Sequence, residues 1–246
     1  MAEIIVQPSI QPDVKTGVTL VHGLLTGGNE SWSEKLTKWG NENTEADFSR
    51  LQYWEGLLGF GHQKHIDTLA GLLKNELSQW SEVGYQHAIG HSNGSRLILE
   101  CLLQNPEFVL GDVHLIAAWA PRDCRRHINI ILKRKQARRI FLYVSRKDEI
   151  LCWSIMWAFY WGFTLGKDGP TNVIFSPPNG PAINVAADHP FTILDPSSTY
   201  PIQIGRDDTM KHGTWVNPRN ANDPGFNLAV MDKILSLSIN VSKCCS

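Results

Sequence analysis

The chain has 246 residues, 42% of them hydrophobic and 19% charged, with a formal net charge of −1. That length fits one α/β domain around a single large core, and the composition excludes a disordered chain. A near-neutral balance gives no electrostatic ground for binding nucleic acid, so no nucleic-acid partner is expected.

Taken in chain order, Gly17-Val18-Thr19-Leu20-Val21 is a β-branched run that predicts a strand and leads directly into His22-Gly23-Leu24-Leu25. A polar stretch over residues 27–48, holding Trp32 and Trp39, leads to a second predicted strand over 49–54. Residues 67–80 place Leu69, Leu72, Leu73 and Leu77 on one face and predict a helix. Residues 85–89 predict a short half-apolar strand, which runs into Gly90-His91-Ser92-Asn93-Gly94. Residues 95–104 then carry Leu97, Ile98, Cys101 and Leu102 at helical spacing and stop at Asn105-Pro106. A strand over 112–118 ends at Trp119-Ala120-Pro121, a crossover helix is expected over 125–137, and residues 139–144 form the next strand. Ser145-Arg146-Lys147-Asp148-Glu149-Ile150 comes off its end. Residues 222–238, with Leu228, Met231, Ile234 and Leu235, fit a final amphipathic helix. Strands alternating with helices predict a mostly parallel, doubly wound sheet flanked by helices, with right-handed crossovers and a site at the carboxyl ends of the strands. No repeat or linker divides the chain, so residues 1–246 read as a single domain.

A G-x-S-x-G between a predicted strand and a predicted helix is the pattern of a nucleophile elbow, where small flanking residues let the two elements pass closely. The bland alternative is a Gly-bounded turn with a surface serine. A serine hydroxyl is a weak nucleophile at neutral pH, so Ser92 requires a base, an acid and an oxyanion hole. Asp148, coming off the end of the predicted strand 139–144, is a candidate acid, with its neighbour Glu149 as runner-up. Of the histidines, only His189 and His212 follow Asp148. His212 lies in a polar loop just ahead of the predicted last helix, where the α/β-hydrolase superfamily that these motifs resemble carries its base, and that resemblance prefers it. His189, in Asp188-His189-Pro190, reads more as a turn residue but stays open as the base.

These residues together resemble an α/β-hydrolase-superfamily serine hydrolase, esterase- or lipase-like, over residues 17–238. The resemblance implies the α/β-hydrolase fold and the chain order Ser92, Asp148, His212. It implies oxyanion donors from the backbone N–H of Leu24, or of Leu25, and of Asn93, and it makes His22 a shaper of the loop. Leu25, His91, Trp119 and Trp157 are expected at the substrate. Two departures stand out. Only a short helical stretch follows the Trp119 loop, so no large cap domain is expected, and residues 171–211 exceed a simple last strand and loop. The aromatic, uncharged segment 151–165 is too short for a comfortable bilayer span. It reads equally as a lid or acyl-pocket helix (taken as 151–170) or as a buried helix on the sheet.

The expected activity is hydrolysis of a small carboxylic ester, with a hydrophobic acyl group, through an acyl-enzyme and with neither metal nor organic cofactor. Thioesterase, amidase or lipase chemistry on the same triad, or a non-catalytic ligand-binding module, are the alternatives. Five cysteines without a C-x-x-C or a zinc-like spacing point to thiols and a reducing cytoplasm. Residues 1–12 lack the basic and apolar regions of a secretory signal. The cluster Arg122, Arg125, Arg126, Lys133, Arg134, Lys135, Arg138 and Arg139 reads as the wet face of a crossover helix, or else as a patch for anionic headgroups or a phosphate-bearing substrate.

Overall fold

In a computed structural model of the chain, the described residues are 16–23, 32–44, 46–51, 53, 63–79, 85–120, 125–151, 165–170, 174–175, 183–184, 201–213 and 215–216. Their strands are β1 (Thr16–Val21), β2 (Asp47–Leu51), β3 (Tyr85–His91), β4 (Leu110–Ile116), β5 (Ala137–Val144), β6 (Ile174–Phe175), β7 (Ile183–Asn184) and β8 (Ile202–Arg206). The helices are α1 (Trp32–Asn43), α2 (Gln63–Gln79), α3 (Asn93–Gln104), α4 (Arg125–Lys133) and the single turn α5 (Leu165–Asp168). Six strands pair in parallel in the order β2-β1-β3-β4-β5-β8, while β6 and β7 form a separate antiparallel pair.

Both faces of the parallel sheet are covered, so its central strands are buried on both sides and carry His87, Asp112 and His114 into the interior along with their apolar residues. On one face Val21, Ala88, Val113, Leu115, Ile140 and Leu142 pack with Leu69 and Leu73 of α2, Leu97 and Ile98 of α3, and Ile128 and Ile131 of α4. On the other, Val18, Leu20, Phe48, Ile89, Ile116, Phe141 and Tyr143 pack with Trp32 and Leu36 of α1 and with Met210, Trp215 and Val216. Helix α1 sits in the stretch read as merely polar. Its buried Trp32, Leu36 and Gly40 recur every four residues and make one narrow stripe, and a Cβ on Gly40 would stand 2.3 Å from the Phe48 ring.

Several boundaries differ from expectation for visible reasons. Strand β4 ends at Ile116 because Ala117 turns to φ 44, and α4 stops at Lys133 because Lys135 adopts φ 56 and swings the chain into β5. Only residues 117–124 separate β4 from α4, leaving no room for a cap domain there. The basic cluster is partly tied down: Arg138 and Arg139 both bind the buried Asp112 carboxylate, and Arg134 donates to the Leu103 carbonyl. Among the described residues no helix is long and apolar enough to cross a membrane.

From β1 the chain moves to one side to form β2, then returns to place β3 on the other side of β1 and continues outward through β4, β5 and β8. The direction therefore reverses between β1 and β3. In an open parallel sheet that reversal leaves a crevice at the carboxyl ends of the two strands.

Candidate active site

Ser92 stands at this reversal, between the last residue of β3 and the first of α3. Its backbone is held at φ 55, ψ −122, a region that costs a residue with a side chain on the order of 1–3 kcal/mol. The surroundings enforce it. Ser92 N–H donates to the Ile116 carbonyl at 2.9 Å, and Trp119 N–H donates to the Ser92 carbonyl at 3.0 Å, so the end of β4 clamps both sides of the turn. The flanking glycines are close approaches. A Cβ on Gly94 would lie 2.1 Å from the Val21 carbonyl oxygen, and one on Gly90 would lie 2.7 Å from the Ser95 backbone. The Ser92 side chain makes no capping bond to α3.

The loop after β1 lies directly against the serine. A Cβ on Gly23 would come within 2.7 Å of the Ser92 Cβ and 3.3 Å of its Oγ. His22 donates Nδ1–H to the Gly23 carbonyl at 2.7 Å, stacks on Tyr53 at 4.2 Å, and accepts the Tyr53 hydroxyl at its own carbonyl. Burial lowers its pKa, so the ring shapes the loop as a neutral group. Leu24 and Leu25 fall outside the described residues. Asn93 opens α3, where the first-turn N–H groups find no acceptor within the helix and the helix dipole favours negative charge.

Asp148 and His212 come from the loops after β5 and β8. Asp148 is completely buried and accepts His212 Nδ1–H on Oδ2 at 2.8 Å and Leu151 N–H on Oδ1 at 3.0 Å. Because Nδ1 carries the proton given to Asp148, Nε2 is the acceptor of the neutral His212 ring. Glu149 faces the surface instead and pairs with Lys211, both side chains about two-thirds exposed. His189, Trp157 and most of segment 151–165 lie outside the described residues, as does the expected helix 222–238. Leu151 and Leu165, at the two ends of that aromatic segment, are both fully buried, and Leu165 N–H donates to the Ala120 carbonyl.

The remaining expected site residues divide. Trp119 is half-buried and adjoins Ser92 through its backbone. His91, expected at the substrate, turns inward: it is 2% exposed, and its Nε2 lies 3.0 Å from the His212 carbonyl oxygen. Sequence reasoning missed Ser145, whose hydroxyl donates to the Met210 carbonyl at 2.6 Å and so fixes the His212 loop to the end of β5. No local pattern marks that contact, since its partners are far apart in the chain. Among the described residues no group of three or more His, Cys, Asp or Glu is arranged to hold a metal ion.

No protein-family model matches the sequence, and neither does any curated protein. Solved structures resemble it in shape. A dienelactone hydrolase-like promiscuous phosphotriesterase from metagenomic libraries is 13% identical, with 92% of this chain and 88% of that chain covered and a TM-score of 0.49. A protein of unknown function from Agrobacterium tumefaciens is 12% identical, with 92% of each chain covered and a TM-score of 0.48. A putative hydrolase of the α/β superfamily from Xanthomonas campestris is 18% identical, with 58% and 79% covered and a TM-score of 0.38. The fold is decided by the chain's own topology: a parallel sheet that turns at a strained serine between β3 and α3, with an aspartate and a histidine delivered in order after β5 and β8, is an α/β-hydrolase fold.

Proposed function

We propose that the protein is a serine hydrolase acting on carboxylic esters. The observation that carries this reading is the buried Asp148–His212 hydrogen bond at the same sheet edge as a serine held at positive φ. The arrangement suits the following chemistry. Ser92 Oγ attacks the acyl carbon while His212 Nε2 takes its proton, and Asp148 stabilises the imidazolium. The Asn93 N–H, with an N–H of the His22-Gly23 loop, holds the oxyanion. His212 then protonates the leaving alcohol, and a water deprotonated by the same ring releases the acid. An aromatic segment that starts three residues after Asp148 favours an apolar acyl group. Thioesters fit the same steps, and the leaving group decides between the two.

Labelling with a fluorophosphonate probe and turnover of p-nitrophenyl esters of increasing chain length test the proposal. Wild type should be labelled on Ser92 and hydrolyse at least one ester. Ser92→Ala should stay folded and lose both, with turnover down by several orders of magnitude. Wild-type turnover in the alanine variant would overturn the assignment.

A further inference from the structure

We propose that His91, the residue before the serine, is a positioning residue that holds the base loop in register with the nucleophile through its hydrogen bond to the His212 carbonyl. The inference rests on the hydrolase reading above. His91 ends β3 and brings Nε2 to 3.0 Å from the main-chain oxygen of His212. A carbonyl can only accept, so Nε2 carries the proton and Nδ1 is a buried lone pair that meets no hydrogen-bond partner among the described residues. Burial, reinforced by the His212 imidazole nearby, pushes the His91 pKa down to about 3. The ring therefore remains a neutral donor while His212, whose ring centre lies 4.9 Å away, changes charge during the reaction. Trp32 packs edge-on against His91 at 6.1 Å and helps to hold its plane.

The geometry gives this bond a particular position. The loop that carries His212 is tied to the sheet at Asp207, whose N–H donates to the Val144 carbonyl, and at Met210, which accepts from Ser145. Both ties lie upstream of the base. At His212 itself the side chain is oriented by Asp148 and the backbone by His91. His91 is covalently next to Ser92, so this one bond sets the distance between the strand end that carries the nucleophile and the backbone that carries the base. A misplacement of about 1 Å costs on the order of 10²-fold in rate.

Two substitutions separate the donor from the packing. His91→Phe keeps a planar buried ring but no donor, and His91→Gln puts an amide N–H near the position of Nε2. On a p-nitrophenyl ester, His91→Phe should lower kcat by roughly 10- to 100-fold at unchanged KM, and His91→Gln should stay within about threefold of wild type. Added to His212→Ala, His91→Phe should leave the residual rate unchanged, because its effect passes through the base. Independently of turnover, the His212 Nδ1 proton shared with Asp148 should give a downfield NMR signal in wild type and His91→Gln that broadens away in His91→Phe. Where the phenyl ring prevents folding, His91→Met supplies the donorless variant. Wild-type kcat with a sharp signal in the donorless variant, or an equal loss in the His212→Ala background, would overturn the inference. A wild type that hydrolyses no ester and takes up no probe would instead overturn the hydrolase reading, and the NMR comparison would still decide the role of His91.

Discussion

Lowering the pH should destabilise this protein well before its carboxylates protonate, because three histidines are buried as neutral rings on one face of the sheet. His87 and His91 on β3 and His114 on β4 are each at most 2% exposed. Burial is the main cause in every case and pushes their pKa values down to about 4, 3 and 3. Around both His87 and His114, Asp112 favours the charged form; Arg138 and Arg139, bound to Asp112, oppose it at His87, and His87 and Arg139 oppose it at His114. His114 further shares a hydrogen bond with the Tyr143 hydroxyl at 3.0 Å and stacks on Phe141. In the unfolded chain each imidazole titrates near its ordinary value of about 6.5. Between that value and the folded values the unfolded state binds more protons, so stability is full above about pH 6.5 and falls as pH falls. At about pH 5 each histidine is protonated only when unfolded, and the loss is about 1.4 kcal/mol per unit over 1.5 units, or about 2 kcal/mol each. This figure does not depend on how far below pH 5 the folded values lie. Three such residues remove about 6 kcal/mol, comparable with the roughly 5–15 kcal/mol that stabilise a typical domain. Urea unfolding followed by tryptophan fluorescence at about pH 7 and about pH 5 measures the difference, and His114→Phe should remove about a third of it. A midpoint that does not move between the two pH values would refute the reasoning.

Gly94→Ala should fail to fold or melt far below wild type, since its Cβ would meet backbone oxygens of Val21 at 2.1 Å and His22 at 2.6 Å that cannot swing aside. A wild-type melting temperature would show that α3 can shift. Asp148→Asn should leave a folded protein with ester turnover lower by about 10⁴-fold, because the asparagine cannot stabilise the imidazolium. Glu149→Gln should leave turnover unchanged, and the reverse ranking in one assay would move the acid to Glu149. Asp112→Asn leaves the largely buried Arg139 guanidinium facing a neutral amide, with the more exposed Arg138 able to turn to solvent, and should cost on the order of 3 kcal/mol in denaturant unfolding. No change there would mean that water solvates both guanidinium groups once the carboxylate is gone.

Legibility in the sequence followed contact range. The elbow could be read because its requirements are local: two glycines, a serine, a half-apolar strand before and an amphipathic helix after lie within 20 residues (85–104). Helix α2 and strands β1, β3, β4 and β5 were legible for the same reason. Helix α1 was not, because its stripe of Trp32, Leu36 and Gly40 is narrow and Gly40 fits only against the Phe48 ring. Strand β8 was not placed either. It is five residues long, and what makes it a strand is pairing with β5 from Ile140 to Val144.

By itself, the order of residues determined an alternating α/β chain and a nucleophile candidate at Ser92, while the expectation of an acid and then a base after it came from the resemblance to the α/β-hydrolase superfamily. The first two are one-dimensional facts, fixed by periodicity and by loop residues. What only the tertiary structure decided is which of two neighbouring carboxylates meets the histidine. Asp148 points inward to His212 and Glu149 outward to Lys211, a choice made by the packing of the β5 and β8 ends. It also decided that His91 is buried against the loop that carries His212. A side chain at the end of a parallel strand is buried by whatever the neighbouring strands deliver, and here β8 delivers a backbone carbonyl 121 residues away. Nothing near His91 in the chain encodes that partner.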